Sequence, residues 1–285
     1  MLRCTAGAAA ATFISGFEPL LAAPAARWFK IGACDWNLGR RGNPDSFLVA
    51  KEIGLDGVQI SMGVLGGANT TDPEVRRQYR EATEKTGLEI ASLAIGEMNQ
   101  VPLKSDPQAA EWLAQSIGVC KDLGLDIVMP ACFAKGDLDM SNTAEIDHLV
   151  GVLRDVAPSA EKAGVVIGLE NYLSAADNLK LIDRVGSPAL SVYYDVGNST
   201  DKGYDILAEI RELGRKGLIC QFHAKDGGHR LGGGRIDFRK VREAIDDIGY
   251  NGWIVIEAAA PNGLLTDYSH YARFLRGVFP EKGKS

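Results

Sequence analysis

The chain has 285 residues, 46% of them hydrophobic, and a formal net charge of −6, with a mean hydropathy of −0.06 and a pI near 5.4. That composition describes a globular protein with apolar residues enough for one large core. Its acidic balance argues against nucleic acid or an anionic membrane as partner, since both would call for a basic surface.

Residues 1–26 stand apart. Arg3 precedes an Ala-rich stretch with Phe13 and Ile14, and LLAAPAA then offers Ala23 and Ala25 in an A-x-A cleavage arrangement. The segment reads as an export leader, which places the mature protein in the periplasm. Read instead as a retained N-terminal extension, it leaves the protein in the cytoplasm. Glu18 and Pro19 break its apolar run, so no membrane span is expected there. The barrel proper is expected over 27–285.

From Trp28 onward the apolar period switches between strand and helix, and eight strands are expected: 29–36, 56–61, 88–95, 126–131, 165–170, 190–195, 218–223 and 253–257. Amphipathic helices are expected over 73–87, 109–124 and 144–164, each closing on a glycine (Gly87, Gly124, Gly164) suited to a left-handed cap. Eight such pairs predict an α/β fold, a single (β/α)8 barrel whose functional residues lie at the C-terminal strand ends. An open doubly wound sheet is the rival, disfavoured because no GxGxxG follows the first strand.

Of the five cysteines, Cys4, Cys34, Cys120, Cys132 and Cys220, none forms a CxxC pair. Cys34, Cys132 and Cys220 read as inert buried thiols.

The last four strands each end on a residue able to bind a metal ion: Glu170, Asp195, His223 and Glu257, separated by 25, 28 and 34 residues. One ligand per strand-plus-helix unit, at the same strand end, predicts a metal site at the barrel mouth. Each has a bland alternative as a helix cap, a core histidine or half of a surface ion pair. Their joint recurrence outweighs these, because converging buried charges are costly without an ion. One imidazole with three carboxylates is a hard, oxygen-rich set, suited to one divalent ion such as Mn²⁺, Mg²⁺ or Co²⁺, with Zn²⁺ or Ni²⁺ able to occupy it in vitro.

The segments GLEN (168–171), YYDVGN (193–198), FHAKD (222–226), LGGGRIDF (231–238) and IVIEA (254–258) resemble the xylose isomerase-like TIM-barrel superfamily, in its sugar phosphate isomerase/epimerase group. The resemblance implies that Glu170, Asp195, His223 and Glu257 bind one divalent ion, commonly Mn²⁺. It also implies that Glu170 and Glu257 carry out the proton transfers of an isomerase or epimerase through a metal-stabilised enediolate. A lyase or dehydratase on the same scaffold is the alternative. A metal-cluster phosphodiesterase fits poorly with only four histidines, and a non-catalytic sugar-binding barrel is the remaining option.

Lys225, Asp226, His229, Arg230, Asn198, Glu97 and Trp36 are further candidates for contacting a carbohydrate substrate. Gly232, Gly233 and Gly234 are a weak phosphate-cradle signal, and Asp237 reads as an N-cap. Ketose 3-epimerases of the superfamily carry His, Arg and Glu where this chain has Asn198, His229 and Ala176. The expected substrate is therefore a keto-sugar or keto-glycoside, not a free hexulose. Homo-oligomerisation is left open.

Overall fold

The computed structural model describes residues 29–280. The expected leader and Cys4 lie outside the described residues. In chain order the elements are β1 (Phe29–Cys34), α1 (Ser46–Ile53), β2 (Gly57–Ser61), α2 (Pro73–Thr86), β3 (Glu89–Ile95), α3 (Pro107–Leu123), β4 (Ile127–Pro130) and α4 (Thr143–Ala163). There follow β5 (Val166–Leu169), α5 (Ala175–Val185), β6 (Leu190–Asp195), α6 (Val196–Asp201), α7 (Ile206–Gly214), β7 (Ile219–Ala224), α8 (Phe238–Asp247), β8 (Gly252–Ile256) and α9 (Leu264–Val278). The eight strands pair in parallel and in sequence order, and β1 pairs with β8 to close the barrel.

All eight expected strands are present, β6 with the expected bounds and the others with ends within two residues of them. Helix starts are set by caps. Asp72 and Asp106 accept the N–H groups of Glu74 and Gln108, with Pro73 and Pro107 in the first turn, so α3 begins two residues before the apolar pattern alone suggested. Gly87, Gly124 and Gly164 close α2, α3 and α4 in the left-handed conformation at φ 73°, 69° and 71°.

The main core lies between the sheet and the helices. Within the barrel, side chains alternate, and the register places Tyr193 opposite Gln221 and Asp195 opposite His223, with His223 opposite Val255. One glycine closes the barrel floor: a Cβ on Gly57 would sit 2.5 Å from the Trp253 ring and 2.2 Å from Glu89 O, so the indole fits only because Gly57 has no side chain. No helix of the described residues is long and apolar enough to cross a membrane.

Candidate metal centre

The alternation that buries one face of each strand delivers four polar side chains to the barrel mouth. Asp195 is the last residue of β6 and His223 the fifth of β7. Glu170 and Glu257 each lie one residue past their strands and are still tied to the sheet, Glu170 by a bridge to Ala131 and Glu257 by its N–H donated to Ala224 O. One potential ligand atom from each of the four lies within 4.8 Å of the others. His223 Nδ1 is 2.8 Å from Glu170 Oε1, 3.7 Å from Glu257 Oε2 and 3.8 Å from Asp195 Oδ2. Around an ion with bonds of about 2.1–2.4 Å, neighbouring ligands stand roughly 3 Å apart and opposed ones about 4.5 Å. The observed separations match that geometry.

The electrostatics fit a cation. Asp195 is 3% exposed and its Oδ1 accepts the N–H groups of Gly197 and Asn198, whereas Oδ2 is buried with no hydrogen-bond partner. Burial pushes its carboxyl up to about 7, opposed by the Lys225 ammonium and reinforced by Glu257 and Glu170. Glu257 is held below the usual carboxylate range: burial would raise it, but the charges of His223 and Lys225 together with hydrogen bonds outweigh that. Burial would lower His223, and the surrounding carboxylates, Glu170 first, raise it instead. A buried oxygen without a donor, in a cage of three carboxylates and one imidazole, is a donor set that suits a hard divalent ion.

Lys225 Nζ lies 2.9 Å from Glu257 Oε2 and 3.6 Å from Asp195 Oδ2, and the carboxylates raise its pKa although burial would lower it. Trp36 donates its indole N–H to Glu257 Oε1 at 3.2 Å. Glu97 is buried after β3, its Oε1 3.5 Å from an Arg41 guanidinium nitrogen and its Oε2 without a partner. Asn198 is buried in the first turn of α6.

Asp226, Arg230 and the glycine run are engaged elsewhere. Asp226 is fully buried, and its carboxylate accepts the N–H groups of Arg235 and Ile236, folding the loop after β7 back on itself. Arg230 pairs with the buried Asp267 of α9 at 2.8 Å. His229 is exposed on that loop, its backbone N–H given to Asp226 O. A Cβ on Gly234 would meet Asp226 Oδ2 at 2.1 Å, and one on Gly232 would meet the Phe274 ring at 2.6 Å, so close packing accounts for both glycines. Asp237 caps α8, as its position in the sequence suggests.

Gln59 of β2 is not among the residues that the sequence pattern singles out. It is fully buried, with Oε1 2.8 Å from His223 Nε2 and 3.2 Å from Cys34 Sγ. The available signal was a lone amide in the strand GVQIS, since a buried polar side chain is expected to have a partner. Nor does the sequence pattern single out Phe133 and Tyr172, on the loops after β4 and β5, whose ring centroids lie 4.6 Å apart.

Residues 47–278 match the family described as "Xylose isomerase-like TIM barrel". Over 200 residues the chain is 28% identical to the 2-epi-5-epi-valiolone 7-phosphate 2-epimerase of Actinoplanes sp., covering 70% of this chain and 73% of that protein. Among solved structures, the D-psicose 3-epimerase of Clostridium cellulolyticum H10 with D-tagatose superposes with a TM-score of 0.73 at 19% identity, covering 88% of this chain and 99% of that one. The 3-keto-D-glucoside 4-epimerase of E. coli gives 0.72 at 16% identity, covering 87% and 99%.

Proposed function

We propose that this chain, which belongs to the xylose isomerase-like TIM-barrel family, is a divalent-metal-dependent epimerase of a keto-sugar or keto-glycoside. Several of the proteins it resembles are epimerases, and the chain is an enzyme of the isomerase/epimerase class. The observation that supports the metal most directly is the buried Asp195 Oδ2, left without a donor inside the four-residue cluster. Glu170, Asp195, His223 and Glu257 would hold the ion, with Mn²⁺ the first choice for so oxygen-rich a set. A bound ion would supply Lewis-acid polarisation of a ketone and adjacent hydroxyl on the substrate.

The protein's own groups do the rest. Glu257 is gripped on one oxygen by Trp36 and on the other by Lys225, which fixes its direction and keeps it ionised as a proton acceptor. Glu170 Oε1 lies 2.8 Å from His223 Nδ1, at the edge of the same cluster. The two glutamates stand just past the ends of β5 and β8, with β6 and β7 between them, and so approach a sugar from different sides. One takes the proton from the carbon beside the ketone. The other returns a proton to the opposite face, so that one C–H bond breaks and another forms with inverted configuration. Lys225 lies in reach to donate to a substrate oxygen, and Trp36 with the Phe133–Tyr172 pair supplies apolar walls for a sugar ring. The replacement of three ketose-gripping residues by Asn198, His229 and Ala176 favours a keto-glycoside or otherwise modified keto-sugar.

The test is to incubate the Mn²⁺-loaded protein in D₂O with a panel of keto-sugars and 3-keto-glucosides. Deuterium uptake at the carbon beside the ketone, with mass otherwise conserved, is the expected result. Release of aglycone or water would assign a lyase, and no exchange with any member of the panel would overturn the enolisation reading.

A further inference from the structure

Beneath the four candidate ligands lies a second layer of polar groups that takes no part in the proton transfers proposed above. Gln59 is its centre. The β2–β3 register slips at this residue: Val58 faces Ile90, but Gln59 faces Ser92. Such irregularities re-aim a side chain, and here the amide lies under the imidazole of His223. Its Oε1 is 2.8 Å from His223 Nε2 and 3.2 Å from Cys34 Sγ, and Cys34 Sγ is in turn 3.4 Å from His223 Nε2. All three side chains are fully buried, so water does not compete for these contacts.

From this geometry we infer that Gln59 is a positioning residue for metal binding: its amide oxygen holds the proton of His223 on Nε2 and so turns the lone pair of Nδ1 toward Glu170, Asp195 and Glu257. The orientation of the amide follows from its neighbours. Cys34 Sγ, 3.2 Å from Oε1, is a thiol donor, and a carbonyl oxygen can accept from that thiol and from the imidazole together. The reversed amide would present N–H groups to the imidazole and require the His223 proton on Nδ1, on the side where the ligand lone pair is needed. Gln59 Nε2 has no partner in the observed orientation, an energetic cost the fold carries to keep Oε1 facing the two donors. A ligating histidine whose second nitrogen is fixed by an acceptor binds its ion more tightly, and removal of such an acceptor typically weakens metal affinity about 10–100-fold.

This inference rests on the metal-centre reading, and one titration separates the two. Mn²⁺ is titrated into the parent protein, Gln59→Leu, Gln59→Glu and Cys34→Ala, with circular dichroism confirming the fold of each. Gln59→Leu should raise the Mn²⁺ dissociation constant about 10–100-fold, Gln59→Glu should hold it at or below the parental value, and Cys34→Ala should leave it within about twofold, because the Gln59–His223 contact survives. In the Zn²⁺-loaded parent with ¹⁵N-labelled histidine, the His223 proton should be found on Nε2. A parent that binds neither ion would sink the metal centre itself. A parent that binds, with Gln59→Leu binding equally well, Gln59→Glu as weak as Gln59→Leu, or the His223 proton on Nδ1, would overturn the positioning role alone. Should Gln59→Leu fail to fold, Gln59→Glu and the proton location decide the matter.

Discussion

The two halves of the barrel are built alike and equipped differently. From β5 to β8, each strand delivers one of the four clustered metal-capable side chains to the mouth. From β1 to β4, no residue joins that cluster among the described residues. That half provides what surrounds it: Trp36 on Glu257, Gln59 under His223, Phe133 against Tyr172, and the buried Glu97. The (β/α)8 frame sets where functional groups can stand, while the division into ligand-bearing and orienting halves is a matter of side chains alone.

The largest expected effect falls on the ligand-bearing half. Glu170→Gln and Glu257→Gln should each lower turnover by about 10²–10⁴-fold, the range for loss of a general acid–base. If the two work from different faces, one variant should still exchange the proton of a given epimer with D₂O while the other is silent, and the roles should swap with the other epimer. Loss of exchange with both epimers in both variants, with Mn²⁺ still bound, would reduce the pair to a single base.

Next in size is the response to metal. Mn²⁺ at about 100 times its dissociation constant should stabilise the protein by about 2.7 kcal/mol, a rise in Tm of roughly 5–10 °C for a chain of this size. A chelator should reverse it. His223→Ala should fold but lose most of this shift, as calorimetry with and without Mn²⁺ would read. An unchanged shift would remove His223 from the ligand set.

The orienting half should instead reveal itself through stability. Asp35, at the end of β1, accepts from Ser61 Oγ, Ser61 N and Gly42 N, and burial raises its pKa from 3.8 to about 6. A carboxyl whose folded pKa lies above its unfolded value contributes stability that is fully present below about pH 4 and lost as the pH rises through about 6. Relative to Asp35→Asn, which can keep these contacts, the parent should therefore lose about 2–3 kcal/mol between those limits. Denaturant titrations from pH 4 to 7 measure the difference, and parallel curves would show that Asp35 is not strained by burial.

The smallest effect is expected at the N-terminus. All eight strands lie within residues 29–256, so a chain starting at Arg27 should melt within a few degrees of the full one. A larger drop in Tm would mean that the first 26 residues pack on the barrel and are no leader.

The alternation of strands and helices, the glycine caps and the four candidate ligands are legible in the amino-acid order. Each of these is written in local terms: an apolar period, a left-handed position only glycine fills cheaply, and a chemistry-bearing residue recurring at one strand end. The tertiary structure alone decided which of the remaining polar residues face the mouth. Asp226 and Arg230 share a loop with His229 and look as eligible as Lys225, yet Asp226 clasps its own loop and Arg230 is paired with Asp267 on α9. Gln59 and His223 are 164 positions apart in the chain. Only closure of β1 against β8 and the register slip in β2 bring the amide under the imidazole, and a contact made by barrel closure leaves no periodic trace along the chain.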